Sequence, residues 1–488
     1  MTTAATAPTT KKNGLEESKY KDVTFVREGQ KVIIPEEMSW DEVIFWAGRR
    51  KSEDERDVAV HHELPFFPMD GAVAFQKALR DIYGWTDLVP VPHWWGDSPP
   101  AMIGVMIGLN KRVQVPWGRV KVQGIDGYLE TGMLPEPVPR FTINGQVKHK
   151  NLPQVQEIVA RTDKLLREDS IYKGQAVKLS FEWQRNRLAF DPSLHCPQYI
   201  PLHGVAEDDL IFGQDVQTAL DIGLFTPIQY ADAMRKFQVP LKRGVLLHGV
   251  FGTGKTLTAT ITALKAVRAG FTFIYLESVV DLKKGLQFAG QYGPSILFAE
   301  DIDRAITANT ITMSDIQNCL DGVDTKGQEI IVVFTTNHLN HIDPAMLRMG
   351  RIDTLVEIKP PDAEAAIRLV RLYGRGLLHN DTDYVRIGQA LQGKIPAYVR
   401  ETVERAKIAA IRRLQGADIS GQVMQDDLLS AAVSMENHAA LLSKKKGKGK
   451  RNPELLLRVP ASYQEMLPDI METLGVEEEE EVVSTNHD

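Results

Sequence analysis

The sequence predicts an α/β protein, with a parallel sheet covered by helices, an α+β region before it and a helical segment after it. Between residues 206 and 361, short apolar runs alternate with amphipathic stretches, which is typical of parallel strands joined by helices. The region before it contains several short β-like runs, and the region after it has only helical periodicity. The interpretation divides the chain into five segments, which are 1–20, 21–195, 206–361, 362–442 and 443–488.

Composition excludes several classes of protein. A length of 488 residues is more than one core accommodates, and 43% hydrophobic with 25% charged residues is ordinary for globular domains. A net charge of −7 argues against a surface coated with cations for nucleic acid. The two cysteines, Cys196 and Cys319, are far apart, so neither a zinc site nor a disulfide framework is indicated.

No targeting or membrane segment is predicted. The first twelve residues lack the apolar core of a secretory signal. The longest apolar run, residues 101–109, is about half of what a membrane span requires. The sequence therefore predicts a cytoplasmic protein without a membrane span.

The first two segments contain predicted secondary structure but no motif to which a chemical role is assigned. Residues 1–20 are expected to be a disordered tail, and 21–195 an α+β domain of unknown role. Ser39 opens a capping box before a predicted helix, and Asn144-Gly145 is a hairpin-turn signal. Further predicted elements are a helix at 71–83, strands at 102–107, 112–115, 119–122 and 140–147, a helix at 153–166 and a strand at 176–183. Five tryptophans allow ligand stacking, but core and interface packing is the favoured reading; they are Trp40, Trp46, Trp85, Trp94 and Trp95.

The last segments are a helical lid and a charged tail. Helices are predicted at 363–378, 384–391, 396–413 and 425–442. The tail carries a basic run at 444–451 and an acidic run at 477–481. The basic run could contact nucleic acid or pair with the acidic run, while a solvated linker is the more frequent reading.

The chemistry centres on a phosphate-binding loop (P-loop) at residues 249–256, between an apolar run and a helical pattern. Its glycines let backbone N–H groups surround phosphate oxygens, and the helix N-terminus adds its positive dipole end. Lys255 would reach the β- and γ-phosphates, and the Thr256 hydroxyl would help hold Mg²⁺. The predicted nucleotide contacts here are Gly249, Val250, Phe251, Gly252, Thr253, Gly254, Lys255, Thr256 and Leu257.

An acidic pair follows a later apolar run. Glu300-Asp301 comes directly after Ser-Ile-Leu-Phe-Ala at residues 295–299. One acid at such a strand end can hold Mg²⁺ and the other can polarise the attacking water. The alternative, surface carboxylates at a strand end, is disfavoured because this strand follows the P-loop at a suitable distance.

Residues 206–440 resemble the AAA ATPase family. The resemblance rests on Lys-Arg-Gly-Val-Leu-Leu-His-Gly before the P-loop, on Pro-Ser before the acidic strand and on the string at 333–353. It implies that Asn337 orients the lytic water and that Arg348 and Arg351 enter a neighbouring subunit's site. Such arginines imply a ring, expected to be a hexamer or similar assembly.

Two departures from the family's usual pattern refine the resemblance. The acidic pair is Glu-Asp rather than Asp-Glu, which is similar to the branch of the mitochondrial ATPase that translocates the folded Rieske protein. By position, Glu300 is assigned to Mg²⁺ and Asp301 to water activation. Residues 277–293 hold no aromatic-hydrophobic-Gly triplet of the kind found in threading unfoldases. Tyr292-Gly293 is expected to be a turn, so threading of an unfolded chain is disfavoured.

The resemblance also covers the base and the lid. The segment containing Asp209, Ile211 and Gly213 resembles the family's adenine-contacting entry. In the lid, Tyr398 stands where the family usually has an arginine, and neighbouring Arg400 is read as a helix-surface residue.

The sequence therefore predicts a Mg²⁺-dependent, ring-forming ATPase that remodels or translocates a protein client. One alternative is a nucleic-acid-directed loader or remodeller that uses the basic run, which would show steep salt dependence. Another is a nucleotide-gated assembly scaffold with slow hydrolysis. ATP and Mg²⁺ are the expected ligands, a protein client is the expected partner, and nucleic acid is possible but not favoured.

Overall fold

The structure is a computed structural model that describes residues 26–28, 31–33, 39–84, 87–93, 96–98, 101–186, 188, 191, 195–321, 328–348 and 350–446. The predicted tail at 1–20, the acidic run at 477–481 and Trp85, Trp94 and Trp95 lie outside these residues. The basic run is described only through Lys446, where a helix ends. The chain divides into two compact units, Met1–Ala365 and Ala366–Asp488.

The first part of unit one is an α+β assembly around a five-stranded antiparallel sheet of order β3-β11-β10-β9-β4. Three two-stranded ribbons, β1–β2, β5–β6 and β7–β8, accompany it. Its elements are β1 Val26–Glu28, β2 Lys31–Ile33, α1 Trp40–Asp54, β3 Asp57–Leu64, α2 Pro68–Tyr83, β4 Asp87–Leu88, β5 Val91–His93, β6 Gly96–Ser98, β7 Ala101–Gly108, β8 Lys111–Trp117, β9 Arg119–Lys121, β10 Gly127–Leu134, β11 Arg140–Lys148, α3 Leu152–Glu168, β12 Ala176–Leu179 and α4 Glu182–Arg185.

Most of the elements that local sequence signals predict in this part are present in the structure. The Ser39 capping box is present, with Ser39 Oγ accepting from Glu42 N and Glu42 accepting from Ser39 N. The predicted helices correspond to α2 and α3, and four predicted strands correspond to β7, β8, β9 and β11. The strand predicted at 176–183 is shorter, because the chain turns into α4 after Leu179. Strands β3 and β10 were not predicted.

The hairpin turn predicted at Asn144-Gly145 was wrong, because both residues lie within β11. Gly145 is paired with Leu129 on one side and Val60 on the other, in the middle of the sheet. A Cβ at Gly145 would lie 2.4 Å from Tyr128 O. The glycine is therefore used for close approach of two strands, and the Asn144 amide bonds across strands, 2.6 Å from His61 Nδ1.

The second part of unit one is a seven-stranded sheet of order β13-β12-β15-β16-β17-β14-β18. All neighbouring strands are parallel except β12 and β13. Its further elements are β13 Gln198–Tyr199, α5 Gln214–Leu220, α6 Thr226–Gln229, α7 Ala231–Lys236, β14 Arg243–His248, α8 Lys255–Arg268, β15 Thr272–Leu276, α9 Leu282–Gln291, β16 Ser295–Ala299, α10 Ile302–Thr307, α11 Met313–Asp321, β17 Ile330–Thr336 and β18 Thr354–Glu357. This confirms the predicted α/β class with a parallel sheet.

Strand β12 joins the two parts of unit one. It precedes residue 195, yet it pairs in parallel with β15. One apolar cluster also contains residues of both parts, among them Phe67 and Phe75 from α2 and its cap, and Phe288 and Leu297 from the large sheet and its helix. The two parts therefore share one apolar core. The domain boundary near residue 195 stays a prediction.

The two edges of the large sheet have different surroundings. We call the edge where its parallel strands end the carboxyl edge, and the edge where they begin the amino edge. Every residue of β16 and β17 is buried, as is usual for parallel strands that helices cover on both faces. The residues that directly follow these two strands therefore lie at the carboxyl edge. Ligands of such sheets bind outside the carboxyl ends of the strands.

The second unit is helical, in agreement with the predicted elements. Its helices are α12 Ala363–Gly374, which begins at the end of unit one, α13 Tyr384–Leu391, α14 Pro396–Arg413 and α15 Gln425–Lys446. Helix α12 ends four residues before its predicted end, because Arg375 and Gly376 adopt positive φ angles of 44° and 79°. Leu378 instead forms a parallel bridge with Val423. Within the described residues, no helix is long and apolar enough to cross a membrane.

Candidate functional site

The P-loop connects β14 to α8 at the carboxyl edge, in the strand–loop–helix order that the sequence predicted. Gly252 and Gly254 have φ angles of 79° and 108°, a region that glycine adopts without strain. Gly254 caps the N-terminus of α8. A Cβ at Gly249 would lie 2.4 Å from Ile358 O. The loop therefore needs glycine at three positions, and such glycine-rich loops before a helix N-terminus are suited to surround an anion.

The side chains of the loop divide into buried and exposed ones. Thr253 is fully buried, and its hydroxyl donates to Val250 O over 2.9 Å, which fixes the turn. Val250 and Phe251 are 55% and 63% exposed, and the Phe251 ring lies edge-on to His338, with 6.3 Å between the ring centroids. At the start of α8, Thr256 is exposed and Leu257 half-buried.

Lys255 is a nearly buried cation. Its side chain is 8% exposed, and Nζ donates to Gly249 O at 2.6 Å and to Val250 O at 3.0 Å. Burial lowers the pKa of Lys255, while three nearby carboxylates act against this shift; they belong to Asp301, Asp303 and Glu300. A desolvated ammonium that faces carbonyl oxygens is suited to bind phosphate oxygens, which are stronger, charged acceptors.

The acidic pair follows β16 at the same edge. Glu300 Oε2 accepts a hydrogen bond from the Tyr275 hydroxyl over 2.9 Å, while Glu300 Oε1 is buried and has no hydrogen-bond partner. Asp301 has a φ angle of 53°, which is unusual for a residue other than glycine. Its N–H donates to Thr335 Oγ1 over 3.0 Å, which stabilises this conformation.

Asn337 follows β17 and contacts the acidic pair directly. Strand β17 lies between β14 and β16, so the three strand ends are adjacent. Asn337 Nδ2 donates to Asp301 Oδ1 over 2.9 Å, and Asn337 Oδ1 is buried without a partner. The amide therefore holds Asp301 with its donor and keeps an acceptor for another group.

Asp303 supports this arrangement, although sequence reasoning gave it no role. It is 2% exposed and accepts from the Thr336 hydroxyl at 2.9 Å and from Asn337 N at 3.3 Å. These bonds fix the backbone that carries the Asn337 side chain. Tyr275 and Thr335 were also missed, because each acts on a residue far away in sequence. A tyrosine near the end of a strand whose other residues after Thr272 are apolar was the available signal.

The residues present fit a magnesium ion that nucleotide oxygens help to hold. Among the described residues, no cluster of three or more His, Cys, Asp or Glu side chains could hold a metal alone. The uncompensated buried Glu300 Oε1 is an oxygen ligand of the kind Mg²⁺ takes, usually with phosphates and water. Thr256 stands in the first turn of α8 and could supply a hydroxyl.

The predicted base-contacting segment lies beside the P-loop. Phe212 is 3% exposed, and its ring carbons would lie 3.5 Å from a Cβ at Gly254. Ile211 is half-buried and Gly213 is buried. Asp209 Oδ2 accepts from Ala206 N over 2.9 Å, so this carboxylate closes a local turn. Phe212, which sequence reasoning omitted, makes the contact with the loop.

Arg348 and Arg351 are not brought to this site. A Cβ at Gly244 would lie 1.9 Å from Arg351 O, so Arg351 lies at the amino edge, beside the beginning of β14. Its guanidinium donates to Asp321 Oδ2 and to Ala345 O, at distances of 2.6 to 3.0 Å. Arg348 is exposed, and its carbonyl accepts from Arg351 N. Gly244 and the first residue of the P-loop are five positions apart along the chain, which is about 16 Å of extended strand.

Comparison with known proteins agrees with this geometry. Residues 245–360 match the sequence model of the ATPase family associated with various cellular activities (AAA). An ATPase family gene 2 protein of Schizosaccharomyces pombe is 30% identical over 238 residues, which are 44% of this chain and 29% of that protein. A 26S proteasome regulatory subunit 8 homolog of the same species is 28% identical over 207 residues, 38% of this chain and 51% of its own length.

A longer alignment is found with an archaeal protein. The proteasome-activating nucleotidase of Archaeoglobus fulgidus is 26% identical over 348 residues, which are 64% of this chain and 77% of that protein. The chain spans only 29% and 51% of the first two relatives. Residues 245–360 therefore correspond to an AAA ATPase domain, and ATP hydrolysis is the activity of domains of that family.

Proposed function

We propose that this chain is a Mg²⁺-dependent ATPase that assembles into a ring and uses ATP hydrolysis to remodel or move a protein client. The observation that carries the proposal is the convergence of three groups at the carboxyl edge. Lys255 follows β14, Glu300 and Asp301 follow β16, and Asn337 follows β17. This set contains a phosphate-binding cation, two acids and a polar sensor, which are the parts that phosphoryl transfer to water requires.

Each residue has a distinct role in the proposed reaction. Lys255 binds the β- and γ-phosphates, and the backbone N–H groups of the P-loop surround them. Glu300 and Thr256 hold Mg²⁺, which, when bound, neutralises charge on the phosphate oxygens. Asp301, held by the Asn337 amide over 2.9 Å, accepts a proton from the attacking water. The remaining amide oxygen, Asn337 Oδ1, accepts a hydrogen bond that orients this water.

The position of the arginines supports action between subunits. Arg351 lies at the amino edge, with its guanidinium bound to Asp321, and about 16 Å of strand separates that position from the chain's own P-loop. This is farther than an arginine side chain reaches. Arginines stabilise the charge that develops on the γ-phosphate, so Arg348 and Arg351 would serve the site of a neighbouring copy. Hydrolysis would then depend on assembly.

The connection between β15 and β16 supports handling of a client without an aromatic threading loop. It consists of a short turn at Val279–Asp281 and helix α9. Its two aromatic side chains, Phe288 and Tyr292, are fully buried. We therefore infer that this chain moves its client as the ATPase branch that translocates a folded protein does. The Glu300-Asp301 order supports the same inference.

Mixing two defective variants tests the proposal. Lys255→Ala removes the phosphate-binding cation but keeps both arginines, and Arg348→Ala removes an exposed arginine but keeps the P-loop. Each variant alone should lose at least about 90% of its turnover, while an equimolar mixture should recover activity, because intact sites then meet intact arginines. The rate is measured against protein concentration, together with particle size in ATP.

Arg386→Ala, at another exposed arginine, is the matched control and should hydrolyse ATP at the normal rate. If the mixture stays inactive although mixed particles form, the arginines do not act between subunits. A wild-type rate per molecule that is independent of concentration, from a strict monomer, would contradict the ring.

A further inference from the structure

The long side chain of Glu300 poses a positioning problem within the proposed ATPase site. A glutamate has one more rotatable bond than an aspartate, and fixing it costs additional side-chain entropy. Only one carboxylate oxygen, Oε1, is buried without a partner. For this oxygen to be aimed reproducibly at a metal ion, the other oxygen must be held.

Tyr275 holds that oxygen from the neighbouring strand. Strands β15 and β16 are parallel, with Tyr275 opposite Phe298 and Leu276 opposite Ala299. This register carries the Tyr275 ring past the end of β16, where its hydroxyl donates to Glu300 Oε2 over 2.9 Å. The Tyr275 and Phe298 rings are nearly parallel, with an interplanar angle of 10°. The sheet and the ring contact therefore fix the donor.

The hydroxyl is a permanent donor at physiological pH. A tyrosine hydroxyl has an ordinary pKa of about 10, so it keeps its proton at neutral pH. A neutral tyrosine that donates to one carboxylate oxygen leaves the second oxygen with its full acceptor capacity. Hydrogen bonds of this kind to metal-binding carboxylates commonly contribute 10- to 100-fold to metal affinity.

We propose that Tyr275 is a positioning residue for Mg²⁺, which orients the Glu300 carboxylate so that Oε1 faces the metal. This inference rests on the proposed ATPase function and adds a residue from outside the recognised motifs. It also explains how a Glu can stand where an Asp is usual, because the longer side chain reaches the Tyr275 hydroxyl while presenting its other oxygen.

The test is the Mg²⁺ dependence of nucleotide binding. N-methylanthraniloyl-ATP is bound to the full chain in EDTA and then at increasing Mg²⁺, for wild type and Tyr275→Phe. The substitution keeps the ring and removes only the hydroxyl. Binding in EDTA should be unchanged, whereas the Mg²⁺ concentration for half-maximal enhancement should rise about 10-fold. Tyr230→Phe, which removes a hydroxyl from a 60% exposed tyrosine, should match wild type.

A double substitution separates positioning from general packing. In Glu300→Asp the carboxylate is one methylene shorter and withdraws from the hydroxyl, so adding Tyr275→Phe should cause no further shift. Equal shifts in both backgrounds would mean that Tyr275 acts through packing and would overturn the inference. Identical Mg²⁺ curves for wild type and Tyr275→Phe would overturn it too. If wild type itself binds no nucleotide, or binds it without Mg²⁺ dependence, the proposed function fails instead.

Discussion

Polar side chains are buried at both edges of the large sheet, and the two sets differ in the kind of atom that lacks a hydrogen-bond partner. At the carboxyl edge, Glu300 Oε1 and Asn337 Oδ1 have no partner. At the amino edge, the Thr272 hydroxyl donates to Tyr292 O over 2.6 Å and accepts from Gly174 N over 2.9 Å. Unpaired buried polar atoms are costly. At the amino edge Arg243 Nε, a donor, also lacks a partner. The two unpaired atoms at the carboxyl edge are both acceptors and follow the adjacent strands β16 and β17, of which β17 lies next to the strand that leads into the P-loop, as a ligand site requires.

The amino edge joins the large sheet to the region before it. Tyr292 is fully buried, and its hydroxyl accepts from Phe67 N over 2.8 Å. Asp70, 1% exposed, accepts from Ser170 Oγ at 2.6 Å and from Ile171 N at 3.1 Å. Burial, the largest cause, raises the pKa of Asp70 to about 6. These groups hold α2 and the chain before β12 against the end of α9, so substitutions here should affect stability and not turnover.

The largest effect is expected at the carboxyl edge. Lys255→Ala should weaken binding of ATP with Mg²⁺ at least about 100-fold, equivalent to about 3 kcal/mol, because charge-assisted contacts to phosphate are lost. Since Lys255 is a nearly buried cation, the free energy of unfolding without nucleotide should not fall. Isothermal titration and urea unfolding measure the two quantities. A large loss of stability would show that Lys255 is as structural as Tyr292.

Lys236→Ala, at an exposed lysine at the end of α7, is the matched control and should leave both quantities unchanged.

Tyr292→Phe should have the opposite profile. Removing the hydroxyl leaves the buried Phe67 N–H without its acceptor, which should lower the free energy of unfolding by about 1–3 kcal/mol. Turnover per folded molecule should stay at the wild-type value, because the change lies at the amino edge. Urea titration and a rate assay at low temperature test this pair of outcomes. Slower turnover with unchanged stability would mean that the two edges are coupled.

The smallest effect concerns pH. With a pKa of about 6, against about 3.9 in an unfolded chain, folded Asp70 keeps its proton to higher pH. The folded state therefore binds more protons between about pH 4 and 6, and stability falls as the pH rises through this window. From pH 5 to 7.5 this group should reduce the free energy of unfolding by about 1 kcal/mol.

Asp70→Asn should remove this part of the pH dependence, whereas Asp87→Asn, at an exposed aspartate, should not. Urea titrations at the two pH values provide the comparison. If Asp70→Asn and wild type lose the same stability between them, the carboxyl group does not titrate in this window.

The sequence predicts structure correctly where the signal is local. The P-loop, the strand at 295–299 and the Ser39 capping box each depend on residues that follow one another in the chain, and each has the predicted structure. The hairpin at Asn144-Gly145 was wrong because pairing on both sides of β11 outweighs a local turn preference. The assigned roles of Glu300 and Asp301 stay proposals.

By itself, the sequence determined that this chain has an α/β fold with a phosphate loop between a strand and a helix. It could do so because glycine conformation, strand apolarity and helix capping are properties of neighbouring residues. Only the tertiary structure decided which distant side chains complete the site. Tyr275 meets Glu300 across a strand pair, Asp303 meets Asn337 from 34 residues away, and β12 enters the large sheet from the preceding region. These contacts depend on the order and register of parallel strands. Because helices separate these strands along the chain, no local sequence pattern predicts the contacts.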